Sequence, residues 1–468
     1  MARLVRTAAG VAAGLLLAGC GELVSLDAPS PEGTSGGSMQ TGADAVTGPG
    51  SVGSMDASTG SDDDGDELPG PDLPVDPPAV CGPGCELELP RQWVWRGLDE
   101  PPGREPPPHV FSAITETGRD LFVAEQRGNQ AWINSLDDDS GELRWSDRLS
   151  LVCDCQVIDL APSPFGGVAF SAESIPDSSP IVVVGLLPPW SAAVEWWDYA
   201  FPYPIGERPV RVGSVLPLSA VFGAIGAAGV LFIQPDPTSS RPEQEDVKLH
   251  LSDGFNSFEV VVDTQRVTDG GTPPLGVSVG NDQLAVAFPA FTGEQEQGYA
   301  VWLDELSLYA ADAQRLPGLP DGVAVAPGGG LLVLSHAVPE PGWVELQLGH
   351  RRADVPPQWE VVRRIQTDVV GPARLVMHPS GWVAVAVVVT REHDGQPQRS
   401  VEVLAFLPDD GRLLWRETVP LAAEQGLGLS ALPDGGIVLA TTIGDRVHVE
   451  KRRPTCACEE PTDDAPWW

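Results

Sequence analysis

Basic residues are scarce in this 468-residue chain. Lys and Arg number 28 against 66 Asp and Glu, a formal net charge of −38. Such a surface repels nucleic-acid phosphates and anionic lipid head groups, so the chain is no nucleic-acid binder. Lysine is rarest of all, at Lys248 and Lys451 only, a bias we trace to GC-rich coding rather than to chemistry. Sustained helical spacing is also missing, which excludes a helical bundle. So are the Gly-x-Ser-x-Gly elbow, the Gly-x4-Gly-Lys-Ser/Thr loop and the His-Glu-x-x-His helix, and no catalytic residue is assigned. Gly223, Gly226 and Gly229 carry the wrong spacing for a dinucleotide fingerprint. They read instead as small residues of a crowded inner strand.

What is present begins at the N-terminus. Arg3 and Arg6 precede an apolar stretch from Ala8 to Leu17, and small Ala18 and Gly19 precede Cys20. This is an export signal, too short to span a bilayer as a helix. Leu17-Ala18-Gly19-Cys20 resembles the lipobox of bacterial lipoproteins. The resemblance implies removal of a signal peptide at 1–19 and lipidation of Cys20. Two or more acyl chains make a stable membrane anchor. Gly21 stands where an Asp would retain the protein in the inner membrane, so the expected location is the outer membrane, facing the periplasm or the exterior.

Residues 20–80 then form a linker. From Gly21 onward it holds twelve acids and no Lys or Arg, so it repels itself and buries too little to fold. Its run Ser61 to Glu67 reads as solvated charge, with calcium as the sharper alternative.

From Cys85 the texture changes to short apolar runs separated by Gly, Pro, Asp and Asn, as in Leu121–Ala124, Ile181–Val184, Val383–Val389 and Ile437–Ala440. This is strand and turn, hence an all-β class. A polar-flanked aromatic or branched strand recurs about every 50 to 60 residues, at Leu143–Trp145, Val194–Trp197, Phe258–Val261, Leu306–Tyr309, Trp359–Val362 and Leu413–Trp415. A strand, a Gly turn and a strongly apolar strand precede several of these. A unit of this length with four strands has the size of a propeller blade. Six units are complete, and a seventh, 426–452, has room for three strands. Leu89–Arg96 supplies the fourth, which predicts a seven-bladed β-propeller over 81–458 closed by an N-terminal strand, with a tail at 459–468. Two packed β-sandwiches are the alternative.

Asp410-Gly411-Arg412-Leu413-Leu414-Trp415 resembles the turn-and-strand of PQQ-like repeats, and Ser140–Trp145 is a looser copy. The chain is thus similar to the PQQ-like and WD40-like bacterial propellers over about 86–452. That family includes quinoproteins, which hold their cofactor against a ring formed by adjacent cysteines. Here Asp154 separates Cys153 from Cys155, and no cofactor is assigned. One lipidated propeller is an outer-membrane assembly factor, which keeps that role as a further alternative.

Without Cys20, six cysteines remain in close pairs: Cys81 and Cys85, Cys153 and Cys155, Cys456 and Cys458. In an exported chain these are expected as disulfides, not metal ligands. Ring closure brings the first and last pairs together, predicting at least one bond between them, with Cys153 and Cys155 in the same cluster or bonded to each other. Asp159, His336, Arg374 and His378 are the candidates for a ligand surface on the central channel. Asp137–Asp139 reads as a hairpin turn of solvated acids, with calcium again the alternative. The functional expectation is a non-catalytic module presented to an envelope protein or glycan, with a quinoprotein-like enzyme as the other class.

Overall fold

The computed structural model describes most residues from Cys81 to Cys458. Residues 1–80, 82–84, 98–108, 201–209, 219–226, 236–243, 267–271, 305–309 and 459–468, with shorter gaps, lie outside the description. The export signal, Cys20, the acidic linker and the tail are therefore not among the described residues. Every regular element described is a strand.

Seven four-stranded antiparallel sheets follow one another, at 109–148, 155–200, 211–266, 275–315, 319–366, 369–419 and 425–452, the last joined by Arg91–Trp95. In the first six, chain order equals strand order from the inside out. The inner strand of each sheet touches the inner strand of the next, and the seventh touches the first. The sheets are thus the blades of a seven-bladed β-propeller, as the repeat predicts.

Seven apolar clusters seal the seven junctions. Leu231 and Ile233 point into the cluster shared by blades 3 and 4, whereas Val230 and Phe232 point into the one shared by blades 2 and 3. Alternating side chains of one strand therefore both face protein, because a blade is covered on both sides. That is why the second strands are apolar without a break, with Leu121–Gln126 and Ile437–Thr442 entirely buried. Each fully buried Phe, such as Phe122 or Phe170, contributes roughly 1.5–3 kcal/mol. Outer strands lose that cover, and Val355–Gln366 is mostly exposed.

Outer strands are joined by tryptophan. Trp93 of blade 7 donates its indole N–H to the Asp138 carbonyl of blade 1 at 3.2 Å. Trp145 of blade 1 reaches the Pro189 carbonyl of blade 2 at 3.4 Å, and Trp359 of blade 5 reaches the Pro408 carbonyl of blade 6 at 2.8 Å. The turns that receive Trp93 and Trp359 carry a left-handed glycine beneath the ring. A Cβ on Gly141 would lie 2.6 Å from Trp93, and one on Gly411 would lie 2.7 Å from Trp359. The Gly and Trp of the sequence motif thus have separate partners. The Gly receives the ring of the blade before, and the Trp reaches toward the blade after.

Closure is secured at its edge. Cys85–Glu88 pairs with Thr455–Cys458, and Cys81 is bonded to Cys456 across a sequence separation of 375, so the predicted link between the terminal pairs is present. Cys85 and Cys155 each take part in a disulfide as well. Cys85 stands opposite Cys458 in the strand register, and Cys153 lies outside the described residues.

Two readings of detail are corrected. Gly229 sits on the second strand of blade 3, Ala227–Pro235, rather than an inner one; its Cβ position is filled by Leu251. Blade 4 has Ala310–Arg315 as its outer strand, one step beyond the expected Leu306–Tyr309, which is not described.

Candidate functional site

The ring encloses a channel of about 790 Å³ to which all seven inner strands contribute, among them Ser112, Asp159, Ser214, Gly276, Asp321, Arg374 and Gly428. In six blades the inner strand slips register once against its neighbour, around Ser112, Ile158, Gly213–Ser214, Asp321, Gly371–Pro372 and Gly426–Leu427. Blade 4 slips instead between Ser278 and Gly280. A bulge leaves backbone groups outside the ladder and re-aims side chains. Here neighbouring blades take up several of those groups. Ser171 donates to the Gly213 carbonyl at 3.0 Å, Ser214 N–H donates to the Pro274 carbonyl at 3.2 Å, and Phe111 N–H donates to Thr442 Oγ1 at 2.8 Å.

Asp159 is half-buried on the channel wall, where its Oδ2 accepts the Val215 N–H at 3.0 Å. Burial pushes its pKa up to about 6, against the pull of the Val215 and Leu160 amides and of Arg374. Arg374 is exposed to the channel, and its Nη1 donates to the neighbouring Ala373 carbonyl at 2.9 Å. The enclosing ring lowers its pKa, while Asp159 and Asp321 raise it. Neither Arg374 nor Asp159 forms an ion pair among the described residues.

His336 lies on the second strand of blade 5, behind the wall. Its Nδ1 is 2.6 Å from Asp321 Oδ2, and that hydrogen bond raises its pKa. Asp321 is a channel residue that sequence reasoning missed, because Pro320-Asp321-Gly322 has the composition of a turn. His378 is the correction. It is buried, stacked on Trp382 at 4.3 Å between ring centroids, and absent from the channel wall. Its Nδ1 accepts the Ser380 N–H at 3.0 Å and its Nε2 donates to the Gly436 carbonyl at 3.1 Å. Burial lowers its pKa to about 4, so it is a neutral pin between blades 6 and 7. The turn chemistry of His378-Pro379-Ser380-Gly381 gave no sign of which way the ring points.

The Asp137–Asp139 turn brings three carboxylates within 4.8 Å of one another. Asp137 accepts the Ser140 N–H at 2.9 Å and Arg144 Nη2 at 2.6 Å, and Arg144 holds its pKa far below the usual carboxylate range. Buried Lys451 contacts the Asp138 carbonyl at 2.9 Å and Asp434 at 2.7 Å. These contacts give the turn a structural part in closing blade 7 on blade 1.

Of Cys153 and Cys155, to which the quinoprotein resemblance points, only Cys155 is among the described residues. Cys155 is buried in the cluster between blades 1 and 2 and is not on the wall.

No protein-family model and no curated protein matches the chain. Solved structures match in shape. One described as "Structure of Dos1 propeller" is 8% identical, covering 77% of this chain and 94% of its own, with a TM-score of 0.42. The uncharacterized protein lmo1340 from Listeria monocytogenes EGD-e is likewise 8% identical, covering 75% of this chain and 96% of its own at a TM-score of 0.38.

Proposed function

We propose that this chain is a lipid-anchored, non-catalytic binding module that presents its ring to a protein or glycan partner at the cell envelope. The observation that carries the binding reading is the channel, where Asp159, Asp321 and Arg374 stand on a wall otherwise made largely of backbone, glycine and apolar side chains. Concave sites with a few convergent polar groups are the usual form of a recognition site. The anchor rests on Leu17–Cys20, and the acidic linker after it supplies the reach that holds the ring away from the lipid surface.

Two measurements test this together. With an alkyne-tagged fatty acid fed to producing cells, the wild type is expected to carry the label and sediment with membranes, and C20A to do neither. A photo-crosslinker placed at Pro372, an exposed residue of the channel wall, is expected to trap a discrete envelope component. Equal labelling of C20A removes the anchor from the proposal, and the absence of any envelope adduct removes the partner.

A further inference from the structure

We propose that the channel binds a small zwitterion of the amino-acid or short-peptide class, with its carboxylate on Arg374 and its ammonium on Asp159. This deepens the binding reading and rests on it.

The argument is one of charge placement. Three ionisable groups line the channel, Asp159 on blade 2, Asp321 on blade 5 and Arg374 on blade 6, and a fourth, His336, stands behind Asp321. Asp321 and His336 are already partners at 2.6 Å. That leaves one carboxylate and one guanidinium, each without an ion pair among the described residues. They sit on blades three places apart in one direction round the ring and four in the other, hence across the opening from each other. Arg374 spends one N–H on its neighbour's carbonyl, so most of its guanidinium donors are open to the channel.

Each simpler ligand class leaves a charge uncompensated. A pure anion would meet Arg374 but would be enclosed with Asp159, after approaching a chain of net charge −38. A pure cation would meet Asp159 and be enclosed with Arg374. A neutral sugar would strip water from both ions and return no opposite charge, an unfavourable exchange in an enclosed site. A molecule with both charges satisfies both walls and stays neutral in the protein's long-range field. Size agrees: the channel of about 790 Å³ holds about 25 waters at about 30 Å³ each. That is ample for a peptide of a few residues. Bulged backbone on the wall adds amide donors and acceptors of the kind a peptide bond needs.

Calorimetric titration of the mature protein with triglycine, N-acetyl-triglycine and triglycinamide is the test. Triglycine is expected to bind, and each blocked analogue to bind roughly tenfold to a hundredfold more weakly, as the loss of a charge-assisted hydrogen bond requires. R374Q is expected to erase the preference over triglycinamide, and D159N the preference over N-acetyl-triglycine. Because Asp159 also holds the Val215 amide, the analogue series on the unmutated protein stands as an independent arm. Equal affinity for all three compounds overturns the proposal, as does no binding of triglycine. If the protein then still yields an envelope adduct by photo-crosslinking, the zwitterion inference has failed alone and the binding reading survives.

Discussion

At the junction of blades 5 and 6 and at the junction of blades 6 and 7, the same tryptophan meets different surroundings. Trp359 lies over left-handed Gly411 and donates to the Pro408 carbonyl. Trp415 stands on the outer strand of blade 6, like Trp359 beside a register slip. Its indole N–H finds no acceptor among the described residues. The reason is topological. In blade 7 the outer strand arrives from the other end of the chain, so the turn that would offer a carbonyl does not exist. Leu87, Leu89 and Trp382 pack there instead. A ring made from one repeated hairpin unit has one place where the hairpin is missing. Here a strand pair, Cys85–Glu88 with Thr455–Cys458, and the Cys81–Cys456 disulfide stand in for it.

The largest test of that difference removes the substitute. Replacing Cys81 and Cys456 together with serine removes the bond across a separation of 375 residues, worth at most about 6 kcal/mol in the chain-entropy model and less where the disulfide at Cys85 holds the same strand pair. Urea denaturation is expected to move to a lower midpoint, with the amides of Arg91–Trp95 exchanging first. An unchanged midpoint and exchange pattern removes the clasp from the account of closure.

Gly411→Ala attacks the ordinary junction. Its φ is +68°, and the new Cβ would lie 2.3 Å from Val361 Cγ2. Left-handed strain and overpacking together cost about 2–4 kcal/mol. Gly435→Ala, at φ +91° with open space around it, isolates the strain and should cost about 1–2 kcal/mol. Equal thermal shifts for the two variants would mean that Trp359 yields freely.

Trp359→Phe and Trp415→Phe form the sharpest pair. The first loses a hydrogen bond worth about 1 kcal/mol, whereas the second removes a donor with nothing to donate to. Their difference in denaturation free energy should have that sign and size.

The smallest effect is a pH slope. Burial raises Glu116, near the closing junction, and Glu173, which accepts the Val212 amide of blade 3, to about 7. Each folded pKa lies above the unfolded one, so the linked stability is present in acid and lost as pH rises through about 7. His378 acts oppositely. With a folded pKa of about 4, the stability it links is full at neutral pH and declines as pH falls below about 6.5. Two carboxylates outweigh one imidazole between these limits, so on these three groups melting temperature is expected to be highest near pH 4.5 and to fall toward pH 7. E116Q and E173Q should each flatten the alkaline side, and equal contributions would mean that both junctions bury a carboxylate alike.

Much of this architecture was legible in the sequence. Blades were readable because covered strands are apolar on both faces and because an outer-strand aromatic, seated at Gly141 and Gly411 over a glycine turn, leaves a mark every 50 to 60 residues. The closing strand was readable because Leu89–Arg96 copies that mark out of place. The channel was less so. Asp159 and Arg374 sit in strands whose neighbours suggest an inner position, but Asp321 hides in a turn-like tripeptide, and His378 turns away from the opening into a contact with Trp382. A one-residue slip in an inner strand decides which side chain faces the opening, and no composition signals such a slip.

The clasp also decides where mechanical load travels. A pull on the chain ahead of Cys81 would, without the bond to Cys456, peel the outer strand of blade 7 away one residue at a time. With it, the tension passes directly from one end of the folded chain to the other. Blade 7 is then loaded along its length rather than unzipped from its edge.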